Sequence, residues 1–248
     1  MLHISAESIQ QGQFLLLNKP LRWTSHDVIA RLRGPLKSFT GNKKLKVGHA
    51  GTLDPLATGL LIVLTGKATK QADAMQGLHK EYTGTITLGG ITASYDLETP
   101  VVDHQYTGHI TDDMLQQAAR HFTAPIMQLP PAHSSVKIQG KPAYTYAREG
   151  EDLRMRPRPI EIYSFEITAV RMPEVDFSVA CSKGTYIRSL AHDFGQYLRC
   201  GAYLSALCRT RIGTYDLCDA IELDAMLDMI RHKRNTSAAE HVNETTDH

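Results

Sequence analysis

The sequence predicts an α+β fold in which helices pack on a mixed sheet, and three observations carry that prediction. Val175, Phe177, Val179 and Cys181 alternate with Asp176, Ser178 and Ala180, the period of a half-buried strand. Ile187, Leu190, Ala191, Phe194 and Leu198 recur at helical spacing and mark one buried face of a helix. Strand-like and helix-like segments are interleaved along the chain, and adjacent strands look half-exposed, which favours a mixed sheet covered by helices.

In chain order, Ser25 to Leu32 is a first helix, and the apolar run Leu60 to Leu64 is a strand. Tyr82 to Leu88 is a second strand, with threonines at alternate positions. Thr111 to Phe122 is a helix: Thr111 caps it, Asp112 and Asp113 suit its positive end, and Arg120 and His121 suit the other. Pro130-Pro131 through Lys137, Gly140, Lys141 and Pro142 reads as a surface loop leading into a short helix, with Arg154 to Pro159 as an extended basic return. Tyr163, Phe165, Ile167 and Ala169 mark a further strand, and Glu222 to Ile230 a last helix. One folded domain is expected over 1–232, with an insertion at about 130–158. From about Lys233 the composition turns polar, and a disordered tail is expected over 233–248.

A chain of 248 residues buries a core without covalent staples. Its four cysteines form no C-x-x-C pair and have no histidine partners at zinc spacing, so reduced thiols in a cytoplasmic protein are expected. Phe14 to Leu17 is too short an apolar run for a signal peptide, and no later run approaches membrane-spanning length. The net charge of +1 does not mark a generic nucleic-acid binder, but its distribution is uneven. Residues 1–80 hold eleven Lys and Arg against four Asp and Glu, and residues 129–215 hold twelve against eight. Residues 81–128 and 216–248 are acidic, so two basic segments are available for an anion-binding face.

The densest motif is Val47 to Leu61, where Gly48, Gly51, Gly59 and Pro55 forbid a regular helix and force a tight loop before the apolar strand. Asp54 is displayed in that loop. Taken alone, an Asp before Pro reads as a turn former. The run Gly48-His49-Ala50-Gly51-Thr52-Leu53-Asp54-Pro55, however, resembles the catalytic motif of the TruB family of tRNA pseudouridine synthases. Lys80-Glu81-Tyr82 with Leu88-Gly89, Lys183-Gly184-Thr185-Tyr186-Ile187-Arg188, and Leu207-Cys208-Arg209-Thr210 resemble three further motifs of that family, in order. Leu15 to Pro20 with Ser25 matches the family's opening. Pro130-Pro131, Ser134, Lys137, Gly140 and Tyr144 match its RNA-gripping insertion. The resemblance spans about residues 13–215; Ala50 stands where some members carry Thr.

The resemblance implies a pseudouridine synthase fold with a largely antiparallel sheet, and isomerisation of the T-loop uridine of tRNA, position 55, to pseudouridine. That reaction breaks the bond from ribose to a base nitrogen and rejoins the ribose to a base carbon, with no redox change and no net hydrolysis. No cofactor or metal is therefore expected. It needs a carboxylate acting as nucleophile or base, and a base flipped out of its stack. By resemblance Asp54 is the carboxylate, Tyr82 stacks on the flipped base and His49 fills the vacated stack. Arg188 pairs with Asp54, Leu207 and Tyr186 line the pocket, and Lys19 supports the loop. The expected partner is the tRNA T-arm, bound by a monomer with no obligate protein partner and no membrane. Members commonly continue into a C-terminal PUA domain that is not recognisable in this sequence, so affinity is expected to rest on the basic segments. The alternative is a protein that grips the tRNA elbow and folds RNA without catalysis; it has no use for a carboxylate aimed at ribose.

Overall fold

The computed structural model describes residues 4–134, 137–138, 141–142, 145–146 and 155–244. Gly140, Tyr144 and residues 147–154 of the expected RNA-gripping insertion, and residues 245–248 of the tail, lie outside them. The chain divides into two compact units, residues 1–78 with 209–248, and residues 79–208.

The first unit contains β1 (Phe14–Lys19), β2 (Val47–His49) and β3 (Ala57–Thr65), with helices α1 (Ala6–Gln11), α2 (Ser25–Thr40) and α3 (Ala72–Gln76). Strand β1 runs antiparallel to β3, with Leu17 opposite Leu61 and Lys19 opposite Gly59, and β2 pairs antiparallel with the far half of β3. The unbroken apolar run of β3 has a physical reason: it is covered on both faces. Leu61 and Val63 pack with Leu15, Leu17, Val28, Leu32 and Leu36, while Leu60, Ile62 and Leu64 pack with Ala50 and Ile212. Helix α2 starts with a reciprocal capping box between Thr24 and Asp27. It runs past the expected Leu32 and through Pro35 to Thr40. Burial of Leu36 beyond the proline offsets the hydrogen bond that Pro35 cannot donate.

The second unit contains β4 (Lys80–Leu88), α4 (Asp112–Phe122), β5 (Pro125–Gln128), the short hairpin of β6 (Lys137–Ile138) and β7 (Lys141–Pro142), β8 (Arg158–Arg171), β9 (Glu174–Cys181) and α5 (Ile187–Tyr197). Strand β10 (Ala202–Ile212) begins in it. Its sheet runs in the order β10-β4-β9-β8-β5, with β4, β8 and β5 paired antiparallel to their neighbours β9, β9 and β8. Strand β8 starts within the expected extended return and continues well past it. Thr111 caps α4 through Met114 N, and the buried faces of α4 and α5 meet the sheet in an aromatic core. There the Phe165 ring lies edge-on to Phe177 at 5.7 Å and 5.5 Å from Phe194. Gly195 lets α5 approach the sheet, since a Cβ there would overlap Ala202 N.

The chain then re-enters the first unit along β10, which pairs with β11 (Tyr215–Asp216), while β12 (Ile221–Glu222) pairs parallel to β1. Helix α6 (Leu223–Glu244) buries Leu223, Met226, Leu227 and Ile230 in the core of the first unit. It continues helical to Glu244, through residues whose polarity predicts a disordered tail. Residues 232–244 contain neither Gly nor Pro, and once a packed helix is nucleated, adding residues such as Ala238, Ala239 and Glu240 costs little.

Candidate active site

In the first unit the loop before β3 is tied down on both sides of Asp54. Ser25, in the first turn of α2, accepts from Leu53 N at 2.8 Å through its hydroxyl, which also donates to Leu53 O at 3.3 Å. Pro55 O accepts from Arg22 N at 2.8 Å, and Ala57 N closes the turn on Asp54 O at 3.1 Å. Arg209, on β10, is buried to 1% exposure and spends its guanidinium on main chain: Nε donates to Leu60 O at 2.8 Å, and the two terminal nitrogens donate to Gly51 O and Thr52 O at 3.2 and 3.4 Å. Gly59 admits this approach. Its φ is +101°, and a Cβ would overlap the Arg209 carbonyl. Asp54 is thus a half-buried carboxylate on backbone that is held at Gly51, Thr52, Leu53 and Pro55.

Two of the predicted residues surround that loop. Lys19, at the end of β1, is fully buried and donates from Nζ to Trp23 O at 2.6 Å, Pro20 O at 2.9 Å and Pro55 O at 3.5 Å. Burial lowers its pKa from 10.5 to about 8; the Asp54 carboxylate opposes that shift and Arg209 adds to it. His49, at the end of β2, is held below the usual imidazole range by burial first, then by the charges of Arg209 and His26, against a smaller opposing hydrogen bond with Gly51. Its ring is therefore neutral at pH 7. His49 Nδ1 is buried with no hydrogen-bond partner among the described residues.

The other predicted residues lie in the second unit. Tyr82 sits buried on β4 opposite Val179, and Leu207 is half-buried on β10. Tyr186 is the residue before the first turn of α5, and Gln128 brackets its peptide, accepting from Tyr186 N at 2.8 Å and donating to Tyr186 O at 3.0 Å. Arg188 follows in the first turn, exposed to only 3%. Its terminal nitrogens donate to Ser94 O at 3.0 Å and His133 O at 2.9 Å, and Nε lies 3.7 Å from Asp96 Oδ2. Asp96, equally buried, takes Ser94 Oγ at 2.6 Å and Glu98 N at 3.0 Å on its other oxygen. Arg188 is a buried cation fixed in direction by two carbonyl acceptors and by the ion pair with Asp96.

The TruB family model of pseudouridylate synthases (N terminal domain) matches residues 37–187, and the model of the tRNA pseudouridylate synthase B C-terminal domain matches residues 188–245. The chain belongs to the TruB family. Proteins named tRNA pseudouridine synthase B from Flavobacterium johnsoniae and Phocaeicola vulgatus are 47% identical over 221 residues and 44% identical over 218. Those alignments span 89% and 88% of this chain and 96% and 93% of the relatives. Among solved structures, a chain of a Cbf5-Nop10-Gar1 complex matches with a TM-score of 0.68 at 31% identity, covering 90% of this chain and 55% of that one. A chain of an H/ACA RNP bound to a substrate RNA containing 2'-deoxyuridine matches at 0.65 and 30%, covering 89% and 53%. This chain spans about half the length of those two. The fold is that of the pseudouridine synthases, with the mixed, largely antiparallel sheet that the motifs imply.

Within this TruB chain, sequence reasoning noticed Arg209 as a motif residue but not as the clasp of the Asp54 loop, and it missed Asp96 and Gln128. All three act on groups distant in sequence, and two of them on main chain, which leaves no side-chain signature. Among the described residues, no group of three or more His, Cys, Asp or Glu side chains could hold a metal ion, and no helix is long and apolar enough to cross a membrane.

Proposed function

We propose that this protein isomerises the uridine at position 55 of the tRNA T-loop to pseudouridine, with Asp54 as the carboxylate that acts on the flipped nucleoside. The observation that carries this reading is the main-chain clasp of the Asp54 loop by Lys19, Ser25, Arg22 and Arg209. A carboxylate that must act on one atom of a flipped base needs its backbone preset, so that no ordering is left to the moment of reaction.

The remaining residues take roles that suit their surroundings. Tyr82 offers a ring to the flipped base, and Leu207 and Tyr186 wall the base pocket. The neutral His49 ring, with an unsatisfied nitrogen, fills the gap the base leaves in the RNA stack. Arg188, by its place in its motif, supplies the cation that pairs with the catalytic carboxylate. Lys19 supports the loop. Lys and Arg of residues 19–46 and 137–158 grip the T-arm phosphates, and the protein acts as a monomer in the cytoplasm. Supporting these assignments are membership of the TruB family and the position of each residue in its motif.

The test is a T-arm hairpin with unmodified uridine, incubated with the full chain and mapped for pseudouridine. Conversion at position 55 alone is the expected result. Tight binding with no conversion would replace this reading with that of an RNA-folding protein.

A further inference from the structure

Tyr95 is a bulky residue held at φ +64°, a left-handed conformation that persists only where the surroundings over-determine it. The surroundings here are specific. Its ring lies flat on the His192 ring, centroids 4.0 Å apart and planes 15° from parallel. Its N–H donates to Thr92 O at 3.2 Å and its carbonyl accepts from Leu204 N at 2.9 Å. The next residue is Asp96, turned inward to 3% exposure and set 3.7 Å from Arg188 Nε. On α5, Arg188 and His192 stand four residues apart, one turn, so they share a helix face. Both therefore engage the single loop 92–99: Arg188 through Ser94 O and Asp96, His192 through the Tyr95 ring.

We infer that the Tyr95–His192 stack is a positioning pair: it locks loop 92–99 onto α5, so that Asp96 and Ser94 O aim the Arg188 guanidinium. This rests on the proposed role of Arg188 in pseudouridine formation. Neither ring needs to touch RNA. Without the stack, loop 92–99 is no longer held against α5, Asp96 leaves its inward position, and Arg188 loses a partner that fixes its direction while keeping its charge. The expected loss is in turnover and not in substrate affinity, because RNA-gripping groups lie elsewhere.

The experiment uses the full chain and the T-arm hairpin with Tyr95→Gly, His192→Leu and His192→Phe. Glycine is at home at φ +64°, so Tyr95→Gly removes the ring while relieving the strain, and a merely structural ring would leave turnover intact. The expected result is a kcat at least tenfold lower for Tyr95→Gly and His192→Leu, with KM within about twofold of wild type. His192→Phe, which keeps a flat ring against Tyr95, returns kcat to near the wild-type value, and the Tyr95→Gly/His192→Leu double variant falls no further than either single one. A kcat within about twofold of wild type in His192→Leu, or an equal loss in His192→Phe, overturns the inference. The His192 pair decides the matter if Tyr95→Gly fails to fold. Exchange of the Glu98 amide, which reports the seat of Asp96, is read alongside. If wild type forms no pseudouridine, the isomerase reading fails, and this amide still decides the clamp: faster exchange in His192→Leu supports it and unchanged exchange overturns it.

Discussion

Lys19 shows how one buried cation organises a loop. Its ammonium ties the Pro20 and Trp23 carbonyls, just after β1, to the carbonyl of Pro55, next to Asp54, and the desolvation it suffers is read in its pKa of about 8. The sign of the pH effect follows. The unfolded chain holds this proton up to about 10.5, the folded chain only to about 8, so between those values the unfolded state binds more protons and folding stability rises with pH. Lys19→Met leaves the Pro20 and Trp23 carbonyls without the ammonium donor, while Pro55 O keeps Arg22 N, and lowers stability by about 1–3 kcal/mol at pH 7. In urea titrations from pH 7 to 10.5, the stability gap between wild type and Lys19→Met widens above pH 8; a constant gap contradicts the burial assigned to Lys19. Arg22 adds a second test. It sits at φ +67° with its N–H on Pro55 O, and Arg22→Gly removes left-handed strain of about 1 kcal/mol against a similar entropic cost of glycine. The denaturation midpoint should hold or rise, and a clear fall would mean that the side chain stabilises the loop.

At the scale of elements, α5 combines core and site on one short helix: Ile187, Leu190 and Phe194 anchor it while Arg188 and His192 face loop 92–99. Asp193, between these two sets, has its carboxyl pushed up to about 6 by burial. A raised carboxyl favours the folded state only while it is protonated there, so its contribution is full below about 3.8 and is lost as pH rises through 6. Asp193→Asn should therefore raise stability by about 1 kcal/mol at pH 7.5, a figure discounted for partial solvent access, with a smaller gain at pH 5. Equal gains at both pH values, read as melting temperatures, contradict it. The helix itself was legible from its apolar spacing, as was β3 from its apolar run. The extension of α2 through Pro35 and of α6 to Glu244 was not, because tertiary burial and helix propagation overrode a proline and a polar composition. Arg188 was legible from its motif. Asp96 was not, since the loop that carries it looks like any polar turn until Tyr95 and His192 are seen stacked.

For the whole molecule, net charge near zero conceals two basic segments, and the proposed RNA grip draws on them. Binding to the T-arm hairpin should weaken steeply with salt, with a log–log slope of about −0.7 to −0.9 per phosphate contacted. A salt-independent affinity would place the RNA elsewhere. The division into two compact units was not legible, because the first unit is built from both ends of the chain and no composition shift marks where β10 passes from one to the other. The motifs, by contrast, carried the family and the reaction. The central claim is that Asp54 does the chemistry, and the most direct measurement is release of tritium from the base carbon that becomes bonded to ribose, in a labelled T-arm hairpin, by wild type and Asp54→Asn. Release by wild type, with none from Asp54→Asn at unchanged hairpin affinity, is the result predicted. Release by Asp54→Asn above about a tenth of the wild-type rate would contradict it.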